Sequence, residues 1–385
     1  MSAAPSPGFG LYLHWPYCRR LCPYCDFNIV RHRGGDHAAL LDAILADISG
    51  HGERVQAPGP LSSLSFGGGT PSLMTPGQVS AVINTAAQVF GLAGNCEIAI
   101  EANPDALDDT TAGDFSAAGI NRFSIGVQSL DDDALRVLGR DHDAATARAA
   151  IQAAQRTGAR TSADFIYGLP GQSVQDWQRG LDAALALGLE HYSFYALTIE
   201  PGTAFGVQQQ KGRLNVPDED HAAELFALTR AHCAGADLPA YEISNHARSA
   251  AAQSRHNLLY WRNQDWIGIG PGAHGRASIG GRRHALATAR KPQDYIDAVT
   301  AHGWGVVEAE KLSGEAVAME ALAMGLRLRE GVNLARLKAQ TGFAPDSAIV
   351  RTLQEGGWIE RHGGMLRVTA AGRALTDRLA LELLG

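Results

Sequence analysis

Between residue 10 and about residue 200, short runs rich in aromatic and β-branched residues alternate with longer stretches whose apolar positions recur at helical spacing. The short runs are LYLHW (11–15), SSLSF (62–66), CEIAI (96–100), RFSIGV (122–127), TSADFIY (161–167) and HYSFYAL (191–197). Between them, HAALLDAILADI (37–48) and VQDWQRGLDAALALG (174–188) read as helices with one apolar face. Strands alternating with helices predict right-handed βαβ units and a parallel α/β sheet. Six such units predict a partial (β/α)6 TIM-like barrel. Polar and glycine-rich residues fall where its strands end, and those C-terminal strand ends are where such a fold carries its chemistry.

The pattern changes after residue 200. HNLLYWRNQDWIGIGPGAHG (256–275) is aromatic and glycine-rich and does not read as a regular helix. Further on, EAVAMEALAMGLRL (315–328) predicts a helix, a second is expected near 345–355, and GWIERHGGMLRVTAAGRAL (357–375) reads as a hairpin followed by a helix. Helices followed by a two-stranded wing resemble a winged-helix module. The predicted organisation is therefore a disordered start (1–9), a barrel (10–235), an aromatic and glycine-rich extension (236–304) and a C-terminal winged-helix-like domain (305–385).

Composition narrows the class. With 385 residues, 45% of them apolar, the chain has ample material for a core. Its first ten residues, MSAAPSPGFG, lack the charged start and apolar run of a signal peptide, and no stretch approaches the ~20 apolar residues of a membrane span. A cytoplasmic protein is expected, with peripheral membrane contact and homodimerisation left open. The formal net charge of -7, without a long basic run, gives no pull towards nucleic acid, so the C-terminal module is read as a packing or partner-contact element. Five cysteines, an odd number in a reducing compartment, argue against a disulfide framework.

Three of those cysteines, Cys18, Cys22 and Cys25, stand in HWPYCRRLCPYCDFN (14–28) with CxxxCxxC spacing. As a structural zinc site they need a fourth ligand, with His14, His32, Cys96 and Cys233 as the candidates, and no second CxxC pair is present. As a thiol redox pair, Cys22 and Cys25 leave Cys18 idle. As iron–sulfur ligands, three thiolates leave one iron open, the arrangement of a reactive rather than an electron-transfer centre. Spacing alone does not choose between these. Cys96 and Cys233 are expected as buried apolar residues.

A CxxxCxxC motif after the first strand of a parallel α/β barrel resembles the signature of the radical SAM superfamily. FGGGTPS (66–72), IEANPD (100–105), RFSIGVQSL (122–130), LGRDHD (138–143) and DFIYGLPGQ (164–172) follow in order. Together with YLHWPYC they resemble the oxygen-independent coproporphyrinogen III oxidase family over nearly the whole chain. The resemblance implies a [4Fe–4S] cluster on Cys18, Cys22 and Cys25, and S-adenosylmethionine held by Tyr12, Tyr24, Gly68, Gly69, Thr70, Glu101, Gln128, Arg140 and Asp164, with a backbone contact at Ala196. Carboxylates, an amide and a guanidinium suit a zwitterionic sulfonium ligand. Gly270, Gly272 and Gly275 spell GxGxxG, but no βαβ unit follows, so they read as a turn and not as a dinucleotide site.

Two departures separate the chain from the decarboxylases of that family. Phe27 stands where those enzymes carry a fourth cysteine, and only about ten residues precede the first strand. Both features, with CDFN (25–28), are similar to the HemW-type haem chaperones. That resemblance assigns HNLLYW (256–261) to haem, with His256 as axial ligand and Asn257, Tyr260 and Trp261 around the macrocycle. His14 and His246 are alternative ligands, and Arg255 and Arg262 lie near in sequence for the propionates. The implied function is uptake of haem and its delivery to acceptor haem proteins, membrane respiratory enzymes among them, with reductive cleavage of S-adenosylmethionine as an accompanying reaction. The rivals are a true coproporphyrinogen III oxidase and a zinc-stabilised binding module.

Overall fold

A computed structural model describes residues 8–35 and 37–384. Of the predicted disordered start, residues 1–7 lie outside the described residues, whereas Phe9 is fully buried and opens the first strand. The strands of the main sheet are β1 (Phe9–Trp15), β2 (Leu61–Gly68), β3 (Leu92–Ala102), β4 (Arg122–Gln128), β5 (Arg160–Tyr167), β6 (His191–Ala196), β7 (Asn245–Ala247), β8 (Asp265–Ile269), β9 (His274–Ile279), β10 (Arg282–Thr288) and β11 (Val306–Lys311). Their order is β11-β10-β9-β8-β1-β2-β3-β4-β5-β6-β7.

All six expected strands form, and β1 to β6 run parallel in chain order. The sheet does not stop there. Strand β8, inside the stretch read as irregular, pairs parallel with β1 through Leu11 and Ile267, while β7 closes the other edge antiparallel to β6. The four strands within 236–304, β7 to β10, all join the main sheet, and β11 beyond residue 305 pairs antiparallel with β10.

Side chains of a strand alternate between its two faces, so the face covered by the outer helices takes every second residue. Leu11, Leu13 and Trp15 of β1, Leu64 and Phe66 of β2, and Phe123, Ile125 and Val127 of β4 are almost wholly buried in one core. The outer helices start at identifiable caps. Thr75 and Gln78 form a reciprocal capping box for Pro76–Phe90, with proline at its first position, and Ser173 and Asp176 do the same for Val174–Leu185.

A second core forms from Ala318, Leu322, Leu326, Leu337, Val350, Ile359, Leu366 and Leu379. It packs helices Gly314–Gly325, Leu334–Thr341 and Ser347–Glu355 against a three-stranded sheet of β12 (Val332–Asn333), β13 (Ile359–His362) and β14 (Met365–Val368), in the order β12-β14-β13. The hairpin and the two flanking helices match expectation; helix Leu334–Thr341 and β12 were not anticipated.

Candidate functional site

The cysteines sit on a closed excursion beyond the end of β1. Tyr17–Cys18 pairs with Val30–Arg31, and Val30 N donates to Pro16 O at 2.7 Å while His32 N donates to Cys18 O at 2.7 Å, pinning the base of the loop. Its inner side is tied to the end of β2, because Gly69 N donates to Trp15 O (2.7 Å) and Thr70 N to Tyr17 O (2.8 Å). Thr70 Oγ1 also donates to Cys18 Sγ at 3.4 Å.

The Gly67–Gly69 turn is required by this close approach more than by a ligand. A Cβ on Gly69 would come within 2.7 Å of Tyr17 O, and one on Gly68, whose φ is +106°, within 2.7 Å of the His14 ring. The freed backbone is used internally: Gly68 N donates to Glu101 Oε2 at 3.3 Å.

Cys18, Cys22 and Cys25 line one cavity of about 390 Å³ at the C-terminal ends of the parallel strands. Tyr24, Gly68, Gly69, Thr70, Glu101, Gln128, Arg140, Asp164 and Ala196 line it too, so eight of the nine residues assigned to S-adenosylmethionine, and the backbone contact, are brought together. Tyr12 is the exception. Its ring stacks at 5.9 Å on His256 and it lines a smaller, deeper cavity that Glu101 also borders.

Arg140 anchors the far wall, where its Nη2 donates to Asn103 Oδ1 (2.6 Å) and Gly126 O (3.2 Å) and its Nη1 to Cys22 Sγ (3.5 Å). Asn103, within the quoted IEANPD, and Ser124, which donates to Asp164 Oδ2 at 3.0 Å, are site residues that sequence reasoning passed over. Gln128 holds a left-handed φ of +64°, unusual for a side-chain-bearing residue and found where β4 ends at the cavity.

Charge in the site is set mainly by depth. Burial, then the neighbouring Asp164, pushes the Glu101 carboxyl up to about 7 against the opposing Gly68 hydrogen bond. Burial raises Asp164 likewise, partly offset by the hydroxyls of Ser193 and Ser124. The Cys18 thiol is raised by burial, and Cys25 is pushed up to about 11 by the same cause.

The donor set fits the implied groups. Asp164 Oδ1 and Arg140 Nε are buried without a protein partner, leaving an acceptor and a donor on cavity-lining residues for a ligand. Among the described residues no three His, Cys, Asp or Glu side chains converge to hold a single ion. A four-iron cluster spreads its thiolates over different irons and needs no such convergence.

The haem assignments fare differently. HNLLYW is helical: Arg255–Trp261 is a short α-helix capped by Ser254, whose first amides also point at Glu97, with Arg255 N donating to its Oε1 at 2.9 Å. This places His256 inside the barrel, 5% exposed, with Nδ1 2.9 Å from Ser63 Oγ and Nε2 2.6 Å from Tyr260 OH. Axial ligation of haem iron would require His256 to give up its Ser63 or Tyr260 partner. Asn257 and Tyr260 line the deeper cavity, and Trp261 packs with Tyr241, Ala247 and Leu258 beneath the Arg327 guanidinium. His14 and His246 are buried as well and hydrogen-bonded to Asn28 O and Leu238 O. The two arginines are committed, Arg255 to Asn95 O and Arg262 to Glu330. Gly270 and Gly272 form the turn after β8, where a Cβ would meet His14 O and Asn28 Nδ2 at 2.3 Å, so the GxGxxG run serves packing. Cys96 and Cys233 are buried in the main core.

The fold and this cysteine cavity define a radical SAM-type barrel, and the family comparison agrees. The model of the radical SAM superfamily matches residues 12–184 and that of the HemN C-terminal domain matches residues 312–375. Coproporphyrinogen III oxidase (HemN) of Escherichia coli has the same fold, with a TM-score of 0.81 at 22% identity over 99% of this chain and 91% of that one. A bovine protein named radical S-adenosyl methionine domain-containing protein 1, mitochondrial, is 38% identical over 99% of this chain and 89% of its own length. Heme chaperone HemW of Mycobacterium tuberculosis is 35% identical over 99% of this chain and 97% of its own, and that of Bacillus subtilis 32% over 97% and 98%. The chain belongs to the HemW family of the radical SAM superfamily. Among the described residues no helix is long and apolar enough to cross a membrane.

Proposed function

We propose that the protein is a haem chaperone that carries a [4Fe–4S] cluster on Cys18, Cys22 and Cys25, binds S-adenosylmethionine in the cavity beside them, and takes up haem for delivery to acceptor haem proteins. The observation that carries the cofactor reading is the convergence of three thiols, a glycine turn, two carboxylates and a guanidinium on one cavity. Arg140 holds the Cys22 side of the loop, and Thr70 holds Cys18. Asp164 and Glu101 offer carboxylate oxygens to an ammonium group; Arg140, whose Nε has no protein partner, offers a donor to a carboxylate. A bound, reduced cluster supplies the electron for cleaving S-adenosylmethionine. The haem reading rests on the relatives named heme chaperones and on Phe27, exposed on the cavity rim where a decarboxylase of the related family carries cysteine.

The test is anaerobic reconstitution of wild type and of Cys22→Ser, followed by iron and sulfide analysis and calorimetry with S-adenosylmethionine. Wild type is expected to hold four irons per chain, roughly the cluster stoichiometry, and to bind the ligand; Cys22→Ser is expected to lose both. A colourless wild type that holds zinc instead would overturn the cofactor reading.

A further inference from the structure

Beneath the cofactor cavity lies a second, enclosed space of about 140 Å³ whose wall is polar where a barrel interior is ordinarily filled with apolar side chains. Ser65, Ser124, Ser162, Ser193 and Ser254 line it. Two of its most deeply buried polar groups, Arg122 and His191, each only 3% exposed, leave Nη2 and Nδ1 without a protein partner. Asp164 Oδ1 is also unpartnered. Buried polar atoms of this kind are satisfied by water, and the volume holds roughly four molecules at ~30 Å³ each.

The space has two neighbours. Above, it shares Glu101, Ser124, Asp164 and Tyr195 with the cofactor cavity. Below, it shares Arg122 and His191 with a pocket of about 240 Å³ lined by Gly158, Thr161, Gly188 and Glu190, at the N-terminal ends of β5 and β6. At this lower end Glu97 holds Arg160 at 3.0 Å and Arg122 at 3.6 Å, so the guanidiniums are fixed in place.

We propose that these three spaces form one water-filled path through the barrel, by which the Glu101–Asp164 carboxyl pair exchanges protons with solvent from the face opposite the cofactor. A proton entering at the Arg122–His191 neck is handed from water to water; each molecule accepts one and releases one, and the last protonates Glu101. The reverse order carries a proton out. Burial, then the Arg122 guanidinium, His246 and Arg160, hold His191 well below its usual range, and burial keeps His256 down at about 3, so both stay neutral and neither ring traps a proton on the way. The path matters when S-adenosylmethionine closes the upper cavity, and to that extent the inference rests on the function proposed above.

Two measurements test it. A high-resolution crystal structure of the ligand-free protein is expected to show a file of ordered waters bonded to Arg122 Nη2, His191 Nδ1 and Asp164 Oδ1; a dry or collapsed space overturns the proposal whatever the cofactor reading. The second is infrared H/D exchange of the Glu101 carboxyl band, assigned with Glu101→Gln, in protein whose S-adenosylmethionine occupancy is checked by calorimetry. Ser162→Val/Ser193→Val, which fills the path, is expected to slow exchange more than about tenfold with ligand bound and leave it unchanged without ligand. Equal rates in the loaded wild type and variant overturn the path. Failure of calorimetric binding instead counts against the cofactor reading alone, and the crystallographic test then decides.

Discussion

Nε2 of His256 lies 2.6 Å from the hydroxyl of Tyr260, one turn later in the same helix, and Nδ1 lies 2.9 Å from Ser63 Oγ. One nitrogen of a neutral imidazole carries a lone pair, and here it is committed to a hydrogen bond that iron would have to displace. With the ring held by both partners, His256→Ala is expected to bind haem with unaltered stoichiometry and Soret position. The same change strands the Ser63 and Tyr260 hydroxyls and opens a cavity, lowering unfolding free energy by on the order of 2–4 kcal/mol. Haem titration and thermal melts check the pair of outcomes; loss of the Soret band at unchanged stability would return the imidazole to the haem site.

Arg140 makes three contacts from one planar fork, to Asn103, Gly126 and Cys22. A lysine keeps the charge but cannot span all three. Arg140→Lys is expected to destabilise the cysteine loop by about 1–3 kcal/mol and to release iron to a chelator faster than wild type, while the melt of the apoprotein core shifts little. Chelator-challenge absorbance is the measurement.

Glu101 has its pKa raised from 4.5 to about 7. Since the folded carboxyl holds its proton more tightly than the unfolded one, its favourable contribution is complete below about pH 4.5 and is lost as pH rises through about 7. Water reaching the side chain through the cavity tempers the size of the effect but not its sign. As a ligand for an ammonium group the carboxylate behaves oppositely, so S-adenosylmethionine affinity should fall as pH drops below about 7. Glu101→Gln is expected to weaken binding and flatten both profiles, read by calorimetry and by pH-dependent melts.

Asp47, wholly buried, ties the first helix, Ala38–Arg54, to the far edge of the sheet by accepting from Tyr295 OH (2.7 Å) and Gly305 N (2.7 Å). Tyr295 OH in turn accepts from Gly270 N at 3.1 Å, so the carboxylate supports the turn behind His14. Asp47→Ala leaves buried donors unmatched and should cost on the order of 3 kcal/mol, seen as a lowered denaturation midpoint with cluster content per folded chain unchanged.

What was legible in the sequence follows from how local each signal is. The six parallel strands were visible because one face of each packs under the outer helices, which writes apolar residues at alternate positions, such as Phe123, Ile125 and Val127 in RFSIGV, directly into the chain. The candidate site residues were visible because CxxxCxxC, the glycine turn and the strand-end carboxylates each occupy a short stretch, and the barrel brings strand ends together. Helix Arg255–Trp261 was not, because Glu97, one of the groups that receives its first amides, lies 158 residues upstream of Arg255. The burial of His256 shares that cause: its Ser63 partner sits on another strand, 193 residues away. Strand β8 was hidden for a related reason, since its neighbour β1 is the chain's first strand and its aromatic and glycine residues blur any period.

The most direct measurement of the central claim gives the anaerobically reconstituted protein haem in one cell and coproporphyrinogen III with S-adenosylmethionine and a reductant in another. Saturable growth of a Soret band, with no carbon dioxide or protoporphyrinogen released in the second cell, is the predicted result. Decarboxylation without saturable haem binding would contradict the account and make the protein an oxidase of the related family.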